Sequence, residues 1–193
     1  KLFDIKNRNI VITGSSGLLG SQYANILSAS GANVILVDLD SIKNKKLERF
    51  LSLYEKGFAM AGSVFYEKID YMTPNYDVIK SFEMMIKKLG IKNKNFGIMG
   101  GSYGGFMTSW VISHYPKMFK SAVVERALLN WETMVGTSDI GIGFPEMYLL
   151  DDLKSNLNLY RKKSPITYAN NIITPTLIIH SEKDYRCPIE QAE

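Results

Sequence analysis

The stretch Gly100-Gly101-Ser102-Tyr103-Gly104-Gly105 constrains this chain more than any other. It follows the apolar run Phe96-Gly97-Ile98-Met99 and opens a helical pattern, Phe106-Met107-Thr108-Ser109-Trp110-Val111-Ile112. Strand, glycine turn and helix, with a serine at the apex, is the layout of a nucleophile elbow. So sharp a turn strains the serine backbone, and a side chain at Gly100 or Gly104 would collide with the neighbouring strand or helix. The same geometry aims the amide of Tyr103 and the helix N-terminus at an oxyanion formed on a substrate of Ser102. A plain glycine-rich strand-to-helix turn fits the same letters.

More of the second half follows one pattern: GGSYGGFMTSW (Gly100 to Trp110), NWETMVGTSDIG (Asn130 to Gly141), SPITYANNI (Ser164 to Ile172) and TPTLIIHSEKDYRCPIEQAE (Thr174 to Glu193). On these stretches the region from about 93 to 193 resembles the catalytic domain of the prolyl oligopeptidase family, in particular its acylaminoacyl-peptidase branch. The resemblance implies Ser102 as nucleophile and Asp184 as the acid of a triad, with residues 127–163 helping to line the substrate pocket. It also implies a histidine base well after the acid, past the last residue here. Of the two histidines present, His114 lies on the elbow helix, roughly 18 Å from Ser102 at ~1.5 Å per residue. His180 ends the sixth expected strand, a structural position in that family, with a substitute base as the alternative.

The first forty residues have a second organising turn. Asn9-Ile10-Val11-Ile12-Thr13 reads as a buried strand and runs into Gly14-Ser15-Ser16-Gly17-Leu18-Leu19-Gly20. A helical pattern with Tyr23, Ile26 and Leu27 on one face ends at Gly31, and Asn33 to Asp38 reads as a second buried strand. This is a βαβ unit with a dinucleotide-type glycine spacing. Gly14 permits the tight turn, Gly17 lets a diphosphate approach the backbone, and Gly20 lets helix and strand pack closely. With Ser16 and Leu18 they frame a phosphate site at the helix N-terminus. Asp38 can accept hydrogen bonds from ribose hydroxyls and repels a 2′-phosphate, so the cofactor expected is NAD rather than NADP. A merely structural glycine turn is the alternative.

Residues 1 to about 90 accordingly resemble the N-terminal half of a short-chain dehydrogenase/reductase, with the glycine spacing of its extended, epimerase-like members. That resemblance places Asp70 near the adenine; an ordinary strand-end aspartate fits equally. The Tyr-x-x-x-Lys pair of such reductases is missing after the fifth strand. Tyr76 to Lys80 matches its letters but precedes the fourth strand, where it cannot face a nicotinamide.

Strands are expected at 9–13, 33–38, 63–69, 96–99, 121–124 and 175–180, with helices at 47–54 and 73–89, and short helices and loops over the sheet edge at 127–163. The expected fold is a single three-layer α/β domain over 1–193, a doubly wound, mostly parallel sheet in the order 3-2-1-4-5-6. Its two glycine loops then face each other across the topological switch point.

Charge and cysteine content narrow the class. The net charge of +4 comes from scattered lysines such as Lys43, Lys45, Lys46, Lys87, Lys88, Lys92 and Lys94, with no basic stripe interleaved with aromatics, so no nucleic-acid partner is expected. A single cysteine, Cys187, leaves no internal disulfide and points to a reducing, cytoplasmic compartment. No apolar run reaches the ~18 residues of a membrane span, and no metal is expected. The partner expected is a small-molecule ligand or nucleotide. Opening at Lys1 and stopping as Ile189 to Glu193 begins to read as a helix, the chain looks like a fragment or an assembled, chimeric protein. The first functional reading is therefore a Rossmann-like chimera holding an NAD loop and an elbow but catalytically incomplete. The alternative is a serine hydrolase or peptidase of the oligopeptidase family acting through Ser102 and Asp184.

Overall fold

The computed structural model describes residues 4–15, 17–38, 59–63, 79, 82–83, 86–87 and 95–193. Six strands form one sheet: β1 (Asn9–Thr13), β2 (Asn33–Asp38), β3 (Ala59–Ser63), β4 (Phe96–Gly101), β5 (Ser121–Glu125) and β6 (Thr176–Ile179). Their order is β3-β2-β1-β4-β5-β6 and every adjacent pair is parallel, as the strand–helix alternation predicts. β3 is displaced: it forms over Ala59–Ser63, ahead of the more β-branched Ser63–Ile69 stretch. The helix expected over 47–54 lies outside the described residues.

β1 is central, with β2 on one side and β4 on the other. Thr13 is opposite Val37 in one register and Gly100 in the other. Alternation along β1 feeds two cores. Val11 packs with Ile35, Val37, Ile98 and the elbow helix, whereas Ile12 packs with Val34, Leu36 and Ala24. That is why these strands are apolar at consecutive positions, as in a sheet covered on both faces.

Helix α1 (Leu18–Ala29) covers the second of these faces through Gly20, Ala24 and Ser28, whose small side chains let it lie close. Gly31, at φ 87°, ends it, with the Gly31 and Ala32 amides closing back on Ser28 and Leu27. Helix α2 (Tyr103–His114) lies on the first face and is buried from Gly104 to Ser113. A helix apolar all round is one covered on both sides. Its outer side is covered by the 3-10 helix Pro165–Asn171, whose Tyr168 meets Trp110 edge-on at 5.5 Å and His114 at 4.5 Å. Three further short helices, α3 (Trp131–Thr137), α4 (Phe144–Leu149) and α5 (Leu157–Lys163), add Trp131, Met134, Leu149 and Tyr160 to the same core, with Trp131 edge-on to Phe106 at 5.7 Å. Asn130 caps α3 by accepting from the Glu132 and Thr133 amides, and Asn156 caps α5 by accepting from Leu159. Ile79, Phe82 and Ile86 are helical, as their spacing predicts, and join the same core.

Among the described residues β6 is an edge strand paired with β5 alone, and Leu177, Ile178 and Ile179 on it are about half exposed. The expected helix start at Ile189 is a short 3-10 turn, Ile189–Gln191.

Candidate active site

Ser102 stands between β4 and α2 at φ 57° and ψ −121°, a conformation that non-glycine residues rarely adopt. Two backbone bonds hold it there. Its amide donates to the Glu125 carbonyl at 3.0 Å, and its carbonyl accepts from the Phe106 amide at 3.0 Å. Although it occupies the N-cap position, its side chain makes no capping bond. Instead the serine is exposed, on the side of the sheet edge where it acts on the thiol of Cys187. Tyr103 begins α2, so its amide is in the first helical turn, where the macrodipole is positive.

The elbow is sharp enough to need its glycines. A Cβ on Gly100 would run into the Gly104 carbonyl and Thr13 Oγ1; one on Gly104 would lie 2.6 Å from the Thr13 carbonyl oxygen. Thr13 Oγ1 in turn donates to the Gly104 carbonyl at 2.9 Å and lies 3.2 Å from Thr108 Oγ1. The end of β1 is therefore keyed into the first turn of α2.

The loop after β6 supplies the opposite wall. Asp184 Oδ1 accepts from the amides of Arg186 (2.9 Å) and Cys187 (3.0 Å), which fixes the carboxylate at the turn. His180 donates from Nε2 to the Cys187 carbonyl at 2.6 Å. Cys187 is buried, and its thiol is pushed up to about 11, first by burial and then by the charge of Asp184; Ser102 and the charges of Arg126 and Arg186 act the other way. Ser102, Cys187, Asp184 and His180 thus form one cluster at the C-terminal edge of the sheet. Arg186 points away to Asp139, with bonds of 2.7 and 3.2 Å, and holds that carboxyl below its ordinary value. His114 is elsewhere: its Nδ1 donates to the Trp110 carbonyl at 2.8 Å and its ring stacks on Trp110 at 4.3 Å.

Beside the elbow, Tyr103 packs on Phe106 and Tyr148 with centroids 5.2 and 5.3 Å apart, and Trp131 stacks on Phe144 at 6.0 Å. Tyr103, Phe106, Trp110, Trp131 and Tyr148 line a cavity of about 10 Å³, room for a single water. The residues between 127 and 163 thereby reach the vicinity of Ser102.

At the other loop, Gly14 turns at φ 68°, the Gly17 amide donates back to the Gly14 carbonyl at 3.2 Å, and Gly17 caps α1. A Cβ on Gly20 would run into the Gly14 carbonyl, so strand and helix do meet as closely as the glycine spacing predicts. Leu18 opens α1 and is 81% exposed. Asp38 ends β2 opposite Ser63, but its side chain is outside the described residues, as are Ser16 and Asp70. The two loops approach each other where Thr13 Oγ1 bonds the Gly104 carbonyl.

Sequence reasoning missed three contributors. Cys187 was read only as evidence of compartment, although it sits three residues past Asp184. The Glu125 carbonyl and Arg126 come from a strand end with no motif of its own.

A family model, described as the prolyl oligopeptidase family, matches residues 56–193. The uncharacterized peptidase YuxL of Bacillus subtilis is 44% identical over 126 residues, covering 64% of this chain and 19% of the relative. Acylamino-acid-releasing enzyme 1 of Oryza sativa is 32% identical over 122 residues, covering 58% of this chain and 16% of the relative. Among solved structures, an acylaminoacyl peptidase in complex with Z-Gly-Gly-Phe-chloromethyl ketone superposes with a TM-score of 0.65 at 26% identity, over 97% of this chain and 29% of that one. The Pyrococcus horikoshii acylaminoacyl peptidase gives 0.64 at 25%, over 96% and 29%. The chain thus spans less than a third of the length of each of these relatives.

These matches move the expected boundary. The family match begins at residue 56, not near 93, so it takes in β3, the helical residues 79, 82–83 and 86–87, and Asp70. The structural matches run through the N-terminal half too, so a peptidase-type sheet accounts for β1 and β2 without a second lineage. Over more than two-thirds of its length, this chain belongs to the prolyl oligopeptidase family.

Proposed function

We propose that the chain carries the acylation half of a serine peptidase or esterase site, acting on acylated peptides or small esters through Ser102. The strained backbone of Ser102 on the β4–α2 turn carries this reading, together with the family match. In the proposed step Ser102 Oγ attacks a carbonyl carbon, and the α2 N-terminus, with the Tyr103 amide, stabilises the resulting oxyanion. Asp184 is the carboxylate that orients and stabilises a protonated base. The base itself is the histidine that the family pattern puts after the acid. His180, bonded through Nε2 to the Cys187 carbonyl, keeps Nδ1 as its basic nitrogen and is the local alternative. The aromatic lining beside Tyr103 suits an apolar group next to the scissile bond, admitted by rotation of Tyr103 or Tyr148. The phenylalanine-containing inhibitor bound by the acylaminoacyl peptidase neighbour is in keeping with that.

A fluorophosphonate probe tests the nucleophile. Labelling of the chain that disappears in Ser102→Ala is the expected result; equal labelling of both, or of neither, removes the reading. Hydrolysis of 4-nitrophenyl acetate above the Ser102→Ala background should rise with added imidazole, which can act as a proton acceptor for Ser102.

A second reading attaches to the Gly14–Gly20 turn. Its glycine spacing at 14, 17 and 20 is that of a dinucleotide-binding turn, and the cofactor it suggests is NAD. Saturable quenching of protein fluorescence by NADH supports it, and no saturation at millimolar cofactor rejects it.

A further inference from the structure

Arg126 occupies an unusual position beside this site. It is the first residue past β5, and the β4–β5 register puts Glu125 opposite Gly101, so Arg126 emerges at the same sheet edge as Ser102. Its backbone is pinned: its amide donates to the Ile179 carbonyl at 2.7 Å, while the preceding carbonyl, that of Glu125, holds the Ser102 amide. It also sits at φ 34°, in the left-handed region that a long side chain avoids. Strain of this kind persists where the surroundings impose it, and it clusters at ligand sites.

The side chain lacks what a guanidinium normally finds. Its Nε is buried with no hydrogen-bond partner among the described residues. Two carboxylates at this end of the sheet have other partners. Asp139 is taken by Arg186, and Asp184 Oδ1 by two backbone amides. Its charge also acts on the Cys187 thiol, as Ser102 does. A half-buried cation at the sheet edge that carries the nucleophile, with an orphaned donor, is costly to keep unless something supplies an oxygen.

We propose that Arg126 is a specificity residue that binds a carboxylate on the substrate, close to the carbonyl attacked by Ser102. A carboxylate offers two oxygens to the planar fork of donors, which a neutral carbonyl does not. The site therefore favours half-esters or half-amides of short dicarboxylic acids, or acidic side chains beside the scissile bond, over their neutral analogues. This rests on the reading of Ser102 as the nucleophile for its catalytic meaning, but the binding itself does not.

Binding of monomethyl succinate and of dimethyl succinate is compared by ligand-observed NMR on the intact chain, on Ser102→Ala, on Arg126→Gln and on Arg126→Lys. The half-ester should bind the wild-type chain and Ser102→Ala at least about tenfold more tightly than the diester, the scale of a charge-assisted pair. Arg126→Gln should abolish that preference without changing diester binding, and Arg126→Lys should retain part of it. A half-ester that binds the wild-type chain no better than the diester overturns the proposal, and that comparison needs no folded variant. So does an Arg126→Gln chain that loses both ligands equally. In parallel, the rate ratio of 4-nitrophenyl hemisuccinate to 4-nitrophenyl acetate should fall in Arg126→Gln. If neither ester reacts above Ser102→Ala, the nucleophile reading fails while the binding comparison still decides the role of Arg126.

Discussion

Replacing Gly104 by alanine tests whether the elbow is truly keyed into β1. An added Cβ would lie 2.6 Å from the Thr13 carbonyl oxygen, 3.2 Å from its carbon and 3.4 Å from Oγ1. These are mostly backbone atoms of the central strand, paired on both sides, and they cannot swing away as a flexible side chain would. Overpacking of this kind costs about 1–3 kcal/mol. Alanine's better helix propensity returns at most ~1 kcal/mol. The balance is a loss of about 1–2 kcal/mol, or a drop of about 2–8 °C in Tm for a chain of this size. Gly136→Ala on α3 is the matched control, because nothing lies within 4 Å of the added atom and the site is exposed. It should gain about 0.5–1 kcal/mol, a rise of roughly 1–4 °C. Thermal unfolding followed by circular dichroism, checked by urea titration, measures both. If Gly104→Ala is as stable as the parent, or the two variants shift in the same direction, the close approach of Thr13 and the elbow is wrong.

Ser102→Gly relieves a strained backbone worth about 1–3 kcal/mol while adding unfolded-state entropy worth about 0.5–1 kcal/mol, so the variant should unfold at higher denaturant while losing fluorophosphonate labelling. The Cys187 thiol, pushed up to about 11 from an ordinary 9.0, should react with iodoacetamide at pH 7 roughly 100-fold more slowly than a free thiol; fast labelling would contradict its burial. Gln191→Leu strips the acceptor shared by the Leu129 and Asn130 amides, each at 2.8 Å, and should cost about 2–4 kcal/mol in urea unfolding. Asp139 is held below its ordinary carboxyl range first by its hydrogen bond from Arg186, so the pairing operates above that range and is lost as pH falls through the lowered folded value. An NMR titration should show the Asp139 midpoint below 3.8 and its return upward in Arg186→Gln.

Much of this was readable from residues because local and global requirements coincide. Asn9–Thr13 and Asn33–Asp38 are apolar at consecutive positions because both sheet faces are covered, and their bounds came out as expected. The elbow was legible because only glycine fits at 100 and 104. β3 was misplaced because the β-branched letters of 63–69 outweighed Ala59-Met60-Ala61-Gly62-Ser63, a strand set by pairing with β2 rather than by propensity. The glycine triplet at 14, 17 and 20 correctly predicted a tight strand–helix turn. It predicted ancestry less well, since close packing of strand on helix needs the same residues whatever binds there. Arg126 and Cys187 could not be found from pattern, as their importance comes from which strand ends meet.

The union of Thr13 with Gly104 joins segments some ninety positions apart, and Glu125 must arrive before the Ser102 amide has an acceptor. No short stretch of chain can hold that serine in its bent state by itself. Its reactivity therefore doubles as a gauge of completed folding: in a denaturant series, covalent capture of the hydroxyl should fade in step with loss of the whole sheet, with no surviving reactive intermediate.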